Sequence, residues 1–211
     1  MLITRPNHDP TTNYLCCWSE KIINQAGKSK QKIIDLKGRR AKAKEFLSIV
    51  KKTNPSFVVL NGHGAEDRIT GYDNEVLVQS GRNESVLSGR IIFARSCRSA
   101  KILGKSAVAS GTRVYIGYND DFIFFINETK TTRPLEDNTA KLFLEPSNYI
   151  AIALLKGHNA SEADTRSKEM YRKNIQKLMT SETPKEDKDL IAFLRWDMIN
   201  QVCLGNGEDK L

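Results

Sequence analysis

Four cysteines, three histidines and no long apolar run are found in 211 residues, and each shortage removes a class of function. Cys16, Cys17, Cys97 and Cys203 show no CxxC spacing of the zinc-holding kind. Adjacent Cys16 and Cys17 are poorly placed for a disulfide framework. The expectation is reduced thiols in a reducing compartment, with no metal and no other cofactor. No stretch approaches the roughly 20 apolar residues that span a bilayer, and the opening MLITRPNHDP lacks the apolar core of a secretory signal. A cytoplasmic protein without membrane contact is therefore expected.

Hydrophobic content of 39% and charged content of 27% are ordinary for a globular chain and exclude disordered or collagen-like classes. The length predicts a single domain over residues 1–211. A formal net charge of +8 raises a nucleic-acid partner, because clustered cations displace counterions from phosphates. The basic residues concentrate between Lys28 and Lys52, where RRAKAKEFLSIVKK places them on the solvent side of a helix whose Ala41, Phe46, Leu47 and Val50 form the apolar side. A solvated face is the plainer reading, and no aromatic stacking platform accompanies the charge.

Along the chain, apolar runs alternate with helical patterns. Strands are predicted at Leu2–Arg5, Lys32–Leu36, Phe57–Leu60, Arg90–Ala94 and Arg113–Gly117, and helices at Asn13–Gln25, across the basic stretch, and at Ser99–Ser110. A hairpin is expected around Asp73-Asn74, with arms near Ile69 and Val76–Val78. Asn119–Pro134 reads as a loop or lid with an apolar anchor, FIFFI. Helices follow at Leu135–Leu144, Asn148–Lys156 and Ser161–Met179, then a polar linker Thr180–Asp189 and a closing element Leu190–Leu204. Strands apolar throughout imply burial on both faces. A three-layer α/β/α sandwich with a mostly parallel central sheet is the expected architecture.

In such sheets functional groups gather at the carboxyl ends of strands. FVVLNGHG delivers His63 just past one end, and IIFARSC delivers Cys97 just past another. Neighbouring strands lie about 4.8 Å apart, so the two loops can meet if the strands are adjacent. An imidazole beside a thiol favours the thiolate, the reactive form, and backbone N–H groups in a glycine turn can serve a developing oxyanion. Gly64 and Cys97 are the expected N–H donors. Glu66 and Asp67 follow the histidine, either to orient it or as solvated loop residues. His8 and His158 show no partner at an informative spacing and receive no role.

NGHG at Asn61–Gly64 and ARSCRSA at Ala94–Ala100, each after an apolar strand, resemble the caspase-like cysteine peptidases, which include caspases, metacaspases, legumains, gingipains, separases and CHAT domains. Cys97 lies 34 residues after His63, a separation similar to that of compact bacterial and CHAT-like members. The resemblance implies a cysteine endopeptidase hydrolysing protein or peptide substrates through a Cys-His dyad, with His63 as acid/base and Cys97 as nucleophile. Relatives are often latent until a partner or processing activates them, and Asn127–Asp137 and Thr180–Asp189 are the exposed stretches to inspect. The chain departs from Gln-Ala-Cys-Arg-Gly of caspases. Arg95 stands two before the cysteine, where many relatives line the specificity pocket, and Asp120 and Asp121 stand where relatives with basic specificity hold a carboxylate. These cues conflict, and an Arg95–Asp120 salt bridge is equally open. The alternatives from other classes are an idle interaction module on the same fold and a component of a nucleic-acid-sensing complex.

Overall fold

The computed structural model describes residues 1–211. Its apolar runs line up side by side. β1 (Leu2–Arg5) lies between β2 (Ile34–Lys37) and β3 (Phe57–Asn61), and β3 continues to β7 (Ile91–Arg95) and β8 (Val114–Tyr118), all in parallel. The last strand, β9 (Gln201–Gly205), closes the edge antiparallel to β8. The six-stranded order is β2-β1-β3-β7-β8-β9. The chain thus leaves β1 toward one edge and returns to build toward the other. That reversal puts a topological switch point between β1 and β3, the crevice where open α/β sheets bind ligands.

Alternation along the strands feeds two cores. Ile3, Phe57, Val59, Phe93 and Ile116 pack against α2 (Glu20–Lys28), α5 (Asn138–Leu155) and α6 (Ala160–Leu178). Leu2, Val58, Leu60, Ile92 and Tyr115 pack against α3 (Ala43–Thr53) and α4 (Lys105–Ala109). Each fully buried aliphatic or aromatic side chain contributes about 1.5–3 kcal/mol relative to exposure. Helices on both faces of a mostly parallel sheet are compatible with the expected three-layer arrangement. No helix is long and apolar enough to cross a membrane.

A second, three-stranded antiparallel sheet stands off the first. β4 (Gly64–Ala65), β5 (Arg68–Thr70) and β6 (Val76–Gln79) form it, with Asp73 and Asn74 at positive φ in the connecting turn. The expected hairpin is the β5–β6 pair, and β4 extends it to the histidine loop.

Three helix boundaries differ from the sequence expectation. The helix expected over Asn13–Gln25 is two, α1 (Pro10–Trp18) and α2, separated at Ser19. There the serine hydroxyl donates back to the Leu15 carbonyl, which bends helices. The two helices expected on either side of Pro146 are one, α5. Proline removes the N–H that would reach the Leu142 carbonyl, but Asn174 Nδ2 on α6 donates to that oxygen at 2.8 Å. The linker expected over Thr180–Asp189 ends at Pro184, because α7 (Lys185–Asn200) takes up Lys185 to Asp189. Asn200 then ends that helix, and the closing element continues as β9.

Candidate functional site

Four neighbouring parallel strands, β1, β3, β7 and β8, end on one edge of the sheet and deliver its chemical groups. Asp9 follows β1, His63 follows β3, Cys97 follows β7, and Asp120 with Asp121 follow β8. Adjacency of β3 and β7, with Asn61 opposite Arg95, brings the histidine and cysteine loops together. The approach is close enough to demand glycine. A Cβ on Gly64 would lie 2.5 Å from the Cys97 carbonyl oxygen and 3.1 Å from its nitrogen. Gly62, at φ +153°, likewise presses against the Thr70 carbonyl.

The surrounding contacts hold this arrangement. The His63 carbonyl accepts from the Thr70 N–H at 2.9 Å and the Thr70 hydroxyl at 3.1 Å. The Glu66 carbonyl accepts from the N–H groups of Ile102 and Leu103, and the Glu66 side chain pairs with Lys101 at 2.6 Å. This clamps the hairpin turn onto the segment after Cys97. Below the cysteine, the Ser96 hydroxyl donates to Ser99 Oγ, which also accepts from the Tyr115 hydroxyl. Arg98 adopts a left-handed conformation at φ +57°, and its N–H donates to the Asp120 carbonyl. The Cys97 N–H makes no hydrogen bond within the chain, so it is free for an external acceptor, as an oxyanion donor must be.

The histidine is oriented by Asp9, a residue outside the expected site. Asp9 also caps α1, accepting from the Thr12 N–H at 2.7 Å through Oδ1. Its other oxygen, Oδ2, lies 2.8 Å from His63 Nε2. The Thr12 and His63 contacts outweigh the cost of burial and hold the Asp9 carboxyl below its usual range. An ionised carboxylate only accepts, so the His63 nitrogen facing Asp9, Nε2, carries a proton, and the neutral form of the ring has its lone pair at Nδ1. Neither Glu66 nor Asp67 orients the ring, since Glu66 pairs with Lys101 and Asp67 with Arg68. His8 joins the same cluster, 3.3 Å from Asp9 Oδ2, although no spacing along the chain points to that partner. His158 pairs with Glu162, one helical turn on.

Cys97 and His63 share an edge without a hydrogen bond between them. Cys97 Sγ instead donates to the Phe122 carbonyl at 3.8 Å. Burial, with Asp121 adding to it, pushes the Cys97 thiol up to about 11, so the resting sulfur is protonated. Phe122 is the anchor expected in FIFFI, buried against Tyr118, Tyr14 and Leu144. It lays the segment after β8 across the thiol.

The specificity candidates separate. Arg95 is fully buried, and its guanidinium donates to Asn61 Oδ1, Asn148 Oδ1, Ser19 Oγ and the Leu15 carbonyl. It lines no open pocket and does not pair with Asp120, which corrects both readings of this residue. The side chain points toward α1 and α5, because position 95 shares the strand face of Ile91 and Phe93. Asp120 and Asp121 do lie beside the cysteine. Asp121 pairs with Arg98 at 2.9 Å, and Asp120 Oδ1 accepts from the Asp121 N–H. A cavity of about 410 Å³ opens past β1 and β2, lined by Asn7, Cys17, Glu20, Lys37 and Arg133 among others and by none of the candidate site residues.

No protein-family model matches the chain, and no curated protein matches it in sequence.

Proposed function

We propose that the chain is a cysteine endopeptidase of the caspase-like type, with Cys97 as nucleophile and His63 as acid/base. One observation carries the reading: Gly64 and Cys97 meet backbone to backbone at the ends of adjacent parallel strands. In this reading the substrate carbonyl sits over Cys97 with its oxygen toward the Cys97 and Gly64 N–H groups. His63 Nδ1 takes the thiol proton and later returns it to the leaving amine. Asp9 holds the imidazole in the tautomer that leaves Nδ1 free and stabilises the imidazolium formed in turn. The three-layer caspase-like sandwich belongs to the same proposal and is supported by the parallel sheet with helices on both faces.

The resting thiol supports a latent enzyme. For attack, Phe122 must release Sγ and Asp121 must withdraw or exchange partners, a movement that substrate or an activating protein can drive. Asp120 and Asp121 follow β8 beside the Cys97 loop, and Asp121 acts on the thiol, which favours substrates with a basic side chain before the scissile bond.

A second reading, an idle interaction module on the same fold, is favoured by the protonated thiol and the missing His63–Cys97 hydrogen bond. Peptide-library cleavage by wild type and Cys97→Ala separates the two. The peptidase reading expects Cys97→Ala to lose at least about four orders of magnitude in rate. Cleavage that persists unchanged in that variant sinks it. A folded wild-type protein that cleaves nothing and resists thiol-directed peptidyl electrophiles favours the module.

A further inference from the structure

The switch point between β1 and β3 holds more than the dyad needs. His8, Asp9 and His63 each place one donor atom within 4.8 Å of the others. His8 Nε2 lies 3.3 Å from Asp9 Oδ2, and His63 Nε2 lies 2.8 Å from the same oxygen. A four-coordinate zinc ion, bound at about 2.0–2.1 Å by nitrogen and oxygen, sets its donors roughly 3.3 Å apart. One of these two spacings already matches, and the other needs an opening of about half an ångström.

The surroundings favour a dication. The only basic partners of the Asp9 carboxylate are the two imidazoles. No ammonium or guanidinium neutralises it. The His8 ring is fixed edge-on against Tyr72 at 5.3 Å and against His63 at 6.1 Å. Its side chain is only 10% exposed, with Nε2 toward Asp9. A capping aspartate alone would have no use for a second, nearly buried imidazole. Asn74 Oδ1, 3.4 Å from His8 Nε2, adds a neutral oxygen at the rim. His63 stays 41% exposed in its side chain, leaving an entry path.

We propose that His8, Asp9 and His63 bind a divalent transition-metal ion of the zinc class, and that its binding switches His63 off as a base. Two imidazoles and one carboxylate suit zinc, and disfavour magnesium, which prefers an all-oxygen octahedron. Entry breaks the hydrogen bond between His63 Nε2 and Asp9 and makes both atoms ligands. The Nε2 proton transfers through solvent to Nδ1, so no net proton is released from His63. Nδ1 then donates instead of accepting and cannot receive a proton from Cys97. The regulatory half rests on the peptidase reading; the binding half does not.

Chelator-stripped protein of residues 1–211 titrated with zinc by isothermal calorimetry tests the site. One zinc per chain is expected, with no competition from magnesium. Affinity in Cys97→Ala should be unchanged, and in His8→Ala it should fall by more than the roughly 10–100-fold that loss of an outer-shell partner costs. Cobalt(II) in the wild type keeps the test independent of whether His8→Ala folds. Visible bands of a nitrogen- and oxygen-ligated ion are expected, and a thiolate-to-cobalt charge-transfer band overturns the site. So does the absence of saturable binding, or unchanged affinity in folded His8→Ala. Zinc should suppress cleavage in step with occupancy, and undiminished cleavage at full occupancy overturns the regulatory half. A chain that binds zinc as stated yet cleaves nothing, with or without the metal, sinks the peptidase reading and leaves the metal site standing.

Discussion

Asp9 shows how one side chain serves two structures at once. Its Oδ1 closes the first turn of α1 and its Oδ2 fixes His63. Asparagine caps helices about as well as aspartate, so Asp9→Asn separates the roles. The amide can no longer stabilise an imidazolium or enforce the Nε2–H tautomer. Urea denaturation should find stability within about 1 kcal/mol of wild type, while the proposed peptidase activity should lose about 10²–10⁴-fold in kcat with little change in KM. An equal loss of stability and activity would make Asp9 a cap and nothing more. Arg95 is the opposite case. Reading it as a pocket residue failed because strand alternation sends it to the buried α5 side, where neutral oxygens take its donors. Burial without a carboxylate lowers its guanidinium to about 10.

At the level of elements, the segment between β8 and α5 decides what the thiol can do. Phe122 accepts from Cys97, Ile123 N–H donates to Asp197 on α7, and Trp196 Nε1 donates to the Asp121 carbonyl. The segment is therefore strapped to α7 while it covers the Cys97 thiol. With the thiol held at about 11, Cys97 alkylation by a small electrophile should rise about tenfold per pH unit from neutral and level off near that value. Mass mapping of the Cys97 peptide reads this rate apart from the other cysteines. A plateau already present at neutral pH would mean that His63 activates the sulfur without any movement. The same shift acts on stability: the folded state keeps the Cys97 proton, so its contribution is complete below the unfolded thiol value and is lost as pH rises through about 11.

Across the whole molecule, an electrostatic cost also lies behind the site, at Asp197. Asp197 is buried, one of its oxygens has no partner, and desolvation holds its carboxyl well above the ordinary 3.8. The raised value means the folded state retains this proton after the unfolded chain has lost it. Stability from that difference is complete below 3.8 and is lost as pH rises through the raised value. Asp197→Asn keeps an acceptor for the Ile123 N–H and cannot ionise. The variant should therefore gain on wild type by about 1.4 kcal/mol per pH unit above 3.8 until the folded value is passed. Chemical denaturation at several pH values measures the difference, and a gap that does not change with pH would place Asp197 in contact with water or a cation.

The sequence alone determined the strand runs, the parallel α/β class and the positions of His63 and Cys97 at strand ends, because burial on both faces writes continuous apolar stretches and glycine marks the turns between them. It also located Phe122 in an apolar anchor. Tertiary structure decided the rest. Strand order is set by packing between distant segments, so nothing local showed that β1 borders β3 and brings Asp9 and His8 to His63. The continuity of α5 through Pro146 depended on Asn174 from another helix, and the fate of Arg95 depended on which face its strand turned toward α5. Local periodicity is a one-dimensional signal. The partners that fix the imidazole, cover the thiol and bury the guanidinium come from elsewhere in the chain, and only the folded sheet brings them into reach.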